Sequence, residues 1–513
     1  MPPVRSRFHA LLPLLTKLRP SAPTALYIAL ALFATAPAWI VKYPPMMDIP
    51  FHLSTIRVIH SIHDRAFGFD EDFVLTLGRT QYVVYYIVGS VLSYVLGVVK
   101  ANIVLVSLYL GGTVLSLRAL LQALGKDERL CIFVVPLLVN MMFMYGLFPF
   151  LVGIPLMFVA LAVAVRHFEK PTLARGIWLA VLTLALFYSH IFPFAIFGLG
   201  FAAMFPWTQP HKWLRSAAPP IPALLVLVWW TTSTAAGKLV LGALLDSKDD
   251  PRQPLDASIG DVHNWFSNIF KDTSDEKVLI ALLVIALLAT GFAQGERDRA
   301  KPVARAYVLL PIACVFFYFT STQGHGYIWL IQQRFPMLFA MTGIPLLRMP
   351  SGWRGALATT GAVALAAMST VNVCKHFIEF QLDEVGDIDG AIATMEPKKH
   401  VMALIYDRGT NIMHPSLQPF LHYGAYYQLQ KGGVVMFTYA GYAHWPYAFK
   451  PGHYTPQGEA ARHRWEWMPD QVPMTEIFPY YDYVLTRGNG FHPPTGTYHV
   501  KWRSDRWTVW QRD

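Results

Sequence analysis

Apolar residues recur along the first 374 positions in blocks of roughly 15 to 22, close to the ~20 residues that a helix needs to cross a membrane. Short polar loops separate the blocks. A soluble protein would have to bury about ten such segments in one core, which exceeds the usual size of a domain. The pattern therefore predicts a polytopic membrane protein. The candidate spans are 24–41, 82–99, 101–123, 130–145, 149–165, 176–190, 191–206, 219–236, 277–294, 303–320, 335–349 and 355–374.

Lysine and arginine are concentrated in some of the short loops, which marks those loops as cytoplasmic by the positive-inside rule. The marked loops contain Arg166, Lys170 and Arg175, then Lys212 and Arg215, then Arg297, Arg299, Lys301 and Arg305, and finally Arg348 and Arg354. The basic N-terminus is also expected to be cytoplasmic, and the tail after 374 external. Twelve spans would place the tail inside, so we expect about eleven. Either one of the two segments between 82 and 123 does not span fully, with 82–99 the one we suspect, or the loop 125–129 is external.

The composition changes after residue 374, where apolar runs shorten to the length of strands. The stretches 401–407, 434–440 and 481–487 are predicted strands, and 498–512 alternates around a Ser-Asp turn like a terminal hairpin. A short helix is expected before Pro397. The sequence thus predicts two domains: a transmembrane module, 1–374, with an external loop at 42–81, and an external, periplasmic α/β domain, 375–513.

The charge distribution and the absence of several motifs exclude some classes of function. The net charge is +10, but the basic residues lie in the short loops, so nucleic-acid binding is excluded. The sequence has no glycine-rich phosphate loop, Walker lysine or nucleophile elbow.

The stretch YPPMMDIPFHLS at 43–54 follows the first apolar block. Asp48 lies where the first span leaves the membrane, which suits a carboxylate that acts on a lipid-linked substrate. It also precedes Pro50, as a helix N-cap does, and the two roles are compatible. The predicted helix 50–64 has the pattern of an interfacial helix. His52, His60 and His63 lie close together on it, but His-x-x-His is a weak metal signal; no metal ligand is assigned, and a divalent metal ion is left open.

The chain resembles the GT-C superfamily of membrane glycosyltransferases. The resemblance rests on an acidic residue at the start of the first external loop, on many spans and on an external C-terminal domain. The stretches YGLFPFLVGIPLMFVALAVAVR at 145–166, LALFYSHIFPFAIF at 184–197 and QQRFPMLFAMTGIPLL at 332–347 also resemble bacterial members. The implied fold is mainly α, a polytopic transmembrane helical protein with a small C-terminal α/β extramembrane domain, in a bacterial cytoplasmic membrane.

The resemblance implies an inverting glycosyltransferase that takes a sugar from a polyprenyl-phosphate carrier and gives it to a glycan, lipid or protein acceptor. Asp48 is the expected general base. Arg334, at the end of an external loop, is the expected phosphate ligand, with membrane anchoring by snorkelling as the alternative.

The alternatives to an enzyme are a transporter or flippase of lipid-linked saccharides and a non-catalytic scaffold. Further substrate-binding candidates are His52, Arg79, His190 and His325, and candidates for a second acidic partner are Asp64, Asp70, Glu71 and Asp72.

Overall fold

The computed structural model describes residues 22–245, 253–294, 300–325, 328–453, 456, 460 and 463–513. Of the predicted basic loops, Arg297 and Arg299 lie outside the described residues, as does the side chain of His325. The chain folds into a body of apolar helices with a small sheet built from the tail. The main helices of the first part are Ala22–Ala34, Ile49–His60, Val84–Leu96, Val98–Leu124, Phe148–Glu169, Leu173–Ser189, Ile191–Met204, Ile221–Ser233, Ala235–Leu245, Leu255–Phe266, Ser274–Phe292, Leu309–Thr320, Phe335–Gly343 and Gly352–Glu379.

Four of the described helices are long and apolar enough to cross a membrane: Val98–Leu124, Phe148–Glu169, Val303–Thr320 and Gly352–Glu384. The bent pair Ile221–Ser233 and Ala235–Gly242 makes a fifth if it counts as one span, although its halves meet at 88°. Several shorter apolar helices accompany them. A mainly helical membrane protein is therefore confirmed, whereas the count of about eleven spans stays a prediction.

The segment 130–145, predicted as a span, is not one helix. It begins as a 3-10 helix, Glu128–Leu137, and resumes as the short helix Met141–Tyr145. Pro136 lies inside the first part, and the Asn140 side chain caps the second by accepting from Phe143 N. A proline removes a helix hydrogen bond, and a capping side chain marks the start of a new helix. Pro136 and Asn140 therefore interrupt the single helix that the apolar composition predicted at 130–145.

The basic loops meet at one end of the helical body. Lys301 N donates to Leu124 O at 3.0 Å, and Lys301 Nζ pairs with Glu169 at 2.7 Å. Arg129 donates to Pro350 O at 3.3 Å. The loop 125–129 therefore lies with the other basic loops. The 13-residue helix Val84–Leu96 is about 20 Å long, short of the ~30 Å hydrocarbon core, which favours 82–99 as the incomplete span.

The strands of the described residues are β1 Phe73–Leu75, β2 Gly324–His325, β3 Ile328–Trp329, β4 His400–Ile405, β5 Val434–Val435, β6 Tyr447–Phe449, β7 Tyr483–Arg487, β8 Tyr498–Arg503 and β9 Trp507–Arg512. The predicted sheet of the tail is confirmed, with five of these strands in the order β5-β4-β7-β9-β8. The first three, β4, β5 and β7, are parallel, and β7, β9 and β8 are antiparallel neighbours, so 498–512 is the predicted hairpin. Helix Ile388–Thr394 precedes β4 as expected. Only two residues of 434–440 form a strand.

The loop 42–81 and the tail pack together. In the loop, β1, Phe73–Leu75, pairs antiparallel with β6 of the tail, Tyr447–Phe449. Helix Ile49–His60 packs against helices Ala425–Lys431 and Val84–Leu96. Nearly all of its residues are buried, so it lies inside the protein and is not the interfacial helix that its pattern suggested.

A glycine turn holds the start of this helix. Met47 N donates to Met144 O at 3.0 Å and Asp48 N to Tyr145 O at 3.1 Å. Gly146 follows with φ +84°, a conformation that side chains disfavour. A Cβ there would lie 3.1 Å from Asp48 N and 3.2 Å from Asp48 Cβ, so the position requires glycine.

We expect Gly146→Ala to lower the free energy of unfolding by more than the ~1–2 kcal/mol that a left-handed alanine costs, because the contact with Asp48 adds to the strain. The measurement is the thermal unfolding midpoint in detergent. Gly112→Ala is the matched control: its Cβ would meet Pro155 at an ordinary 3.6 Å, inside a helix where alanine is favoured. Equal midpoints for the two variants would contradict the prediction.

Candidate functional site

A cavity of about 500 Å³ opens where the first external loop, the helix ends and the tail meet. Its wall contains four predicted site residues, Asp48, His52, His190 and Arg334, which come from three separate parts of the chain. The tail supplies the rest of the polar lining and most of the aromatic rings. These tail residues are Ser416, His422, Phe437, Tyr439, Tyr442, His444, Trp445, Arg464, Glu466 and Trp467.

Asp48 lies at the N-cap position of helix Ile49–His60, but its side chain makes no capping hydrogen bond. The residue is 8% exposed and its carboxylate faces the cavity. Pro50 in the first turn needs no amide partner. The carboxylate is therefore available for a partner across the cavity.

That partner comes from the tail. Nε2 of His422 lies 3.2 Å from Oδ1 of Asp48, and both side chains are buried. The imidazole is held between rings, with Phe51 at 4.3 Å and Phe437 at 5.6 Å between centroids. Tyr439 lies beside them: its pKa is raised well above the usual value by burial and further by the Asp48 charge.

His52 serves the neighbouring backbone. Its Nε2 donates to Gly146 O at 2.7 Å, and its Nδ1 lies 2.9 Å from the Tyr86 hydroxyl. Burial lowers the pKa of His52 to about 4, so the ring is neutral at physiological pH. Since both nitrogens have protein partners, the imidazole fixes the glycine turn that supports Asp48.

Arg334 forms the cationic part of the cavity. Its guanidinium donates to Trp329 O at 3.0 Å and to Leu330 O at 3.1 Å, and lies 2.9 Å from Nε2 of His190. The ring of Phe150 stacks on it at 4.9 Å. The residue is 5% exposed, and no carboxylate among the described residues pairs with it. Because a buried cation is costly without a counter-charge, this arrangement suits a bound anion.

The remaining candidates lie elsewhere. Arg79 is exposed and does not line the cavity, and its carbonyl accepts from Trp230. Asp64, Asp70 and Glu71 are exposed, and Asp72 lies 3.3 Å from His453 on the tail. None of these acids is in the cavity wall, so each stays a prediction that the geometry does not support.

A divalent metal ion finds no ready cluster of ligands. Among the described residues, no group of three or more His, Cys, Asp and Glu side chains has the spacing to hold one. The three histidines of the predicted helix 50–64 have different surroundings. His52 lines the cavity, whereas His60 lies 3.2 Å from Ser90 O and packs on Tyr94, and His63 is exposed.

No protein-family model matches the sequence, and no curated protein matches it at a significant level. The solved structures do contain matches. The crystal structure of ArnT from Cupriavidus metallidurans in the apo state aligns with a TM-score of 0.54 at 13% identity, covering 96% of this chain and 98% of that one. The structure of the same protein bound to undecaprenyl phosphate aligns with a TM-score of 0.53 at 13% identity, covering 95% and 97%.

An alignment over nearly the whole of both chains includes the helical body, the first external loop and the tail. At 13% identity this likeness is one of fold. It agrees with the resemblance drawn from the first loop and the spans. The protein is therefore an integral membrane protein with the fold of ArnT from Cupriavidus metallidurans.

Proposed function

We propose that the protein is a glycosyltransferase that moves a sugar from a polyprenyl-phosphate carrier to a glycan, lipid or protein acceptor. One observation carries the proposal: a buried carboxylate, Asp48, and a buried arginine without a carboxylate partner, Arg334, line the same cavity at the ends of apolar helices. Such a pair supplies a proton acceptor and an anion ligand in a site that membrane lipid can reach.

Arg334 would bind the phosphate of the carrier. A guanidinium can bond two phosphate oxygens with its planar fork, and its charge stabilises the phosphate as it leaves. Nη1 and Nη2 are already oriented by His190 and by the carbonyl of Trp329. The fold neighbour bound to undecaprenyl phosphate supports a lipid phosphate as ligand.

Asp48 would act as the general base. The acceptor hydroxyl oxygen attacks the anomeric carbon, its proton passes to the Asp48 carboxylate, and the bond from the anomeric carbon to the phosphate oxygen breaks. The electron pair of that bond leaves with the polyprenyl phosphate. Attack opposite to the leaving group inverts the anomeric carbon, as expected for this superfamily.

His422 would keep Asp48 in position and share its charge. Its Nε2 lies 3.2 Å from Oδ1 of the carboxylate. The aromatic rings around the pair exclude water, and this strengthens the interaction between the charges. A non-catalytic scaffold would have no need of this arrangement, and a transporter would not need a base.

We propose that the basic end of the helical body faces the cytoplasm and that the cavity and tail face outward, in a bacterial cytoplasmic membrane. The contacts among loops 125–129, 166–170, 300–301 and 350 place their positive charges at one end, as the positive-inside rule requires. The N-terminus would then be cytoplasmic.

Asp48→Asn should reduce sugar transfer by about 10²- to 10⁴-fold, the usual contribution of a general base, because the amide cannot accept the proton. The measurement is transfer by purified protein in detergent with a panel of polyprenyl-phosphate sugars. Asp505→Asn, at an exposed hairpin turn, is the matched control. Full activity of a folded Asp48→Asn would leave this residue without the proposed role.

Arg334→Gln should weaken binding of polyprenyl phosphate and lower transfer by about 10²- to 10³-fold, whereas Arg334→Lys should recover part of the binding but lack the two-pronged contact. Binding is measured from the rise in unfolding midpoint on adding the lipid. Arg65→Gln changes an exposed arginine of the first external loop that does not line the cavity, and it serves as control. Unchanged lipid binding in Arg334→Gln would count against the phosphate assignment.

The orientation of the protein in the membrane can be determined by labelling variants that carry a single accessible cysteine. After replacement of the half-buried Cys374, a membrane-impermeant maleimide should label Asp505→Cys in intact cells. It should label Lys170→Cys only after the membrane is opened. Both positions are exposed, so access decides the result. The reverse pattern would invert the proposed topology.

A further inference from the structure

A loop of the tail at residues 463–468 contributes Arg464, Glu466 and Trp467 to the cavity wall. None of these three residues has a role in the proposed sugar transfer. The Arg464 guanidinium stacks on the ring of Trp329 at 5.0 Å. The carbonyl of Trp329 in turn accepts from Arg334. The loop is thereby linked to the proposed phosphate site.

Glu466 is the unusual member of this loop. The residue is only 7% exposed, and its Oε2 has no hydrogen-bond partner among the described residues. Leaving a buried polar atom unpaired costs free energy, so such groups need an explanation. Its position in the wall of the cavity provides one, because a bound ligand would complete the missing hydrogen bond.

Tyr439 links Glu466 to the proposed base. The charges of both Asp48 and Glu466 raise the pKa of Tyr439, so this ring lies near both carboxyl groups. Glu466 is thus near the proposed base through Tyr439 and near the proposed phosphate ligand through Arg464 and Trp329. The sugar of a donor bound by Arg334 and attacked beside Asp48 would occupy the space between them.

The protonation of Glu466 fits a neutral ligand. Burial raises its pKa to about 8, and Arg464 and Arg408 oppose this rise only in part. At pH 7 the side chain is therefore mostly a neutral carboxylic acid, with one O–H donor and a carbonyl acceptor. A sugar hydroxyl needs that combination, since it both accepts and donates.

We propose that Glu466 binds the sugar of the lipid-linked donor by hydrogen bonding to one of its hydroxyl groups. The inference rests on the proposed function and names the part of the donor that this loop recognises. Trp467 and Tyr442, in the same wall, offer flat apolar faces with polar edges against which a sugar ring can pack.

The first test compares two ligands, polyprenyl phosphate and the same lipid bearing a hexose or pentose. Glu466→Leu should weaken binding of the sugar-bearing lipid by about 10- to 100-fold, the value of one or two lost hydrogen bonds, and leave the bare lipid unaffected. Glu466→Gln keeps a donor and an acceptor and should bind nearly as wild type. Glu476→Gln, at an exposed position of the tail, is the control.

The second test is the pH dependence of that binding. Since the protonated form is the one proposed to bind, the affinity of the wild type for the sugar-bearing lipid should fall as pH rises through about 8. Glu466→Gln should lack this fall. His52 and His444, in the same cavity, have pKa values lowered by burial to about 4 and about 3, and burial raises that of Tyr439, so none of them titrates in this window.

Equal weakening for both lipids in Glu466→Leu, or the same pH profile in wild type and Glu466→Gln, would overturn the inference while leaving the proposed function in place. A wild type that binds neither lipid and transfers no sugar would overturn both. If Glu466→Leu fails to fold, the inference is tested by comparing the pH dependence of sugar-lipid binding in Glu466→Gln and in the wild type.

Discussion

The contact between Asp48 and His422 joins two regions that are 374 residues apart, and the candidate site depends on it. Neither the helical body nor the tail contains a complete cavity. The body supplies the carboxylate, the arginine and His190, and the tail supplies the imidazole, Tyr439 and Glu466. The antiparallel pairing of β1 with β6 and the packing of Ile49–His60 against Ala425–Lys431 hold these halves in register.

This dependence changes how the tail is understood. The tail is rich in aromatic residues, and several of them are buried. Phe437 and Tyr439, however, pack against the imidazole of His422, and both line the cavity together with Trp445. A boundary drawn at 374 separates two compositions, but residues from both sides of it line the same candidate cavity.

Local signals in the sequence predicted part of this arrangement. Asp48, His190 and Arg334 each lie where an apolar block ends, and helix ends on the same side of a membrane meet at one depth, so their convergence followed from the predicted spans. His422 and Glu466 carry no such signal. They lie in a tail whose strands are short and whose loops are long, and only the docking of the tail against the first loop brings them to Asp48.

The errors in predicted helices have a similar cause. Hydropathy measures whether a segment prefers lipid or protein interior, and residues 130–145 satisfy it while Pro136 and Asn140 break the helix. The helix Ile49–His60 has an amphipathic pattern that a membrane surface would fit, yet the tail covers it. A single sequence does not distinguish these two apolar surroundings.

The strand order of the tail also sets when the site can form. The strand β9, Trp507–Arg512, lies between β7 and β8, so the sheet is incomplete until these residues have been synthesised. At synthesis rates of about 5 to 20 residues per second, Asp48 emerges roughly 20 to 75 s before His422. For that period the carboxylate lacks its histidine and the cavity lacks its tail wall. The helices of the body are therefore made before the residues that complete the cavity wall.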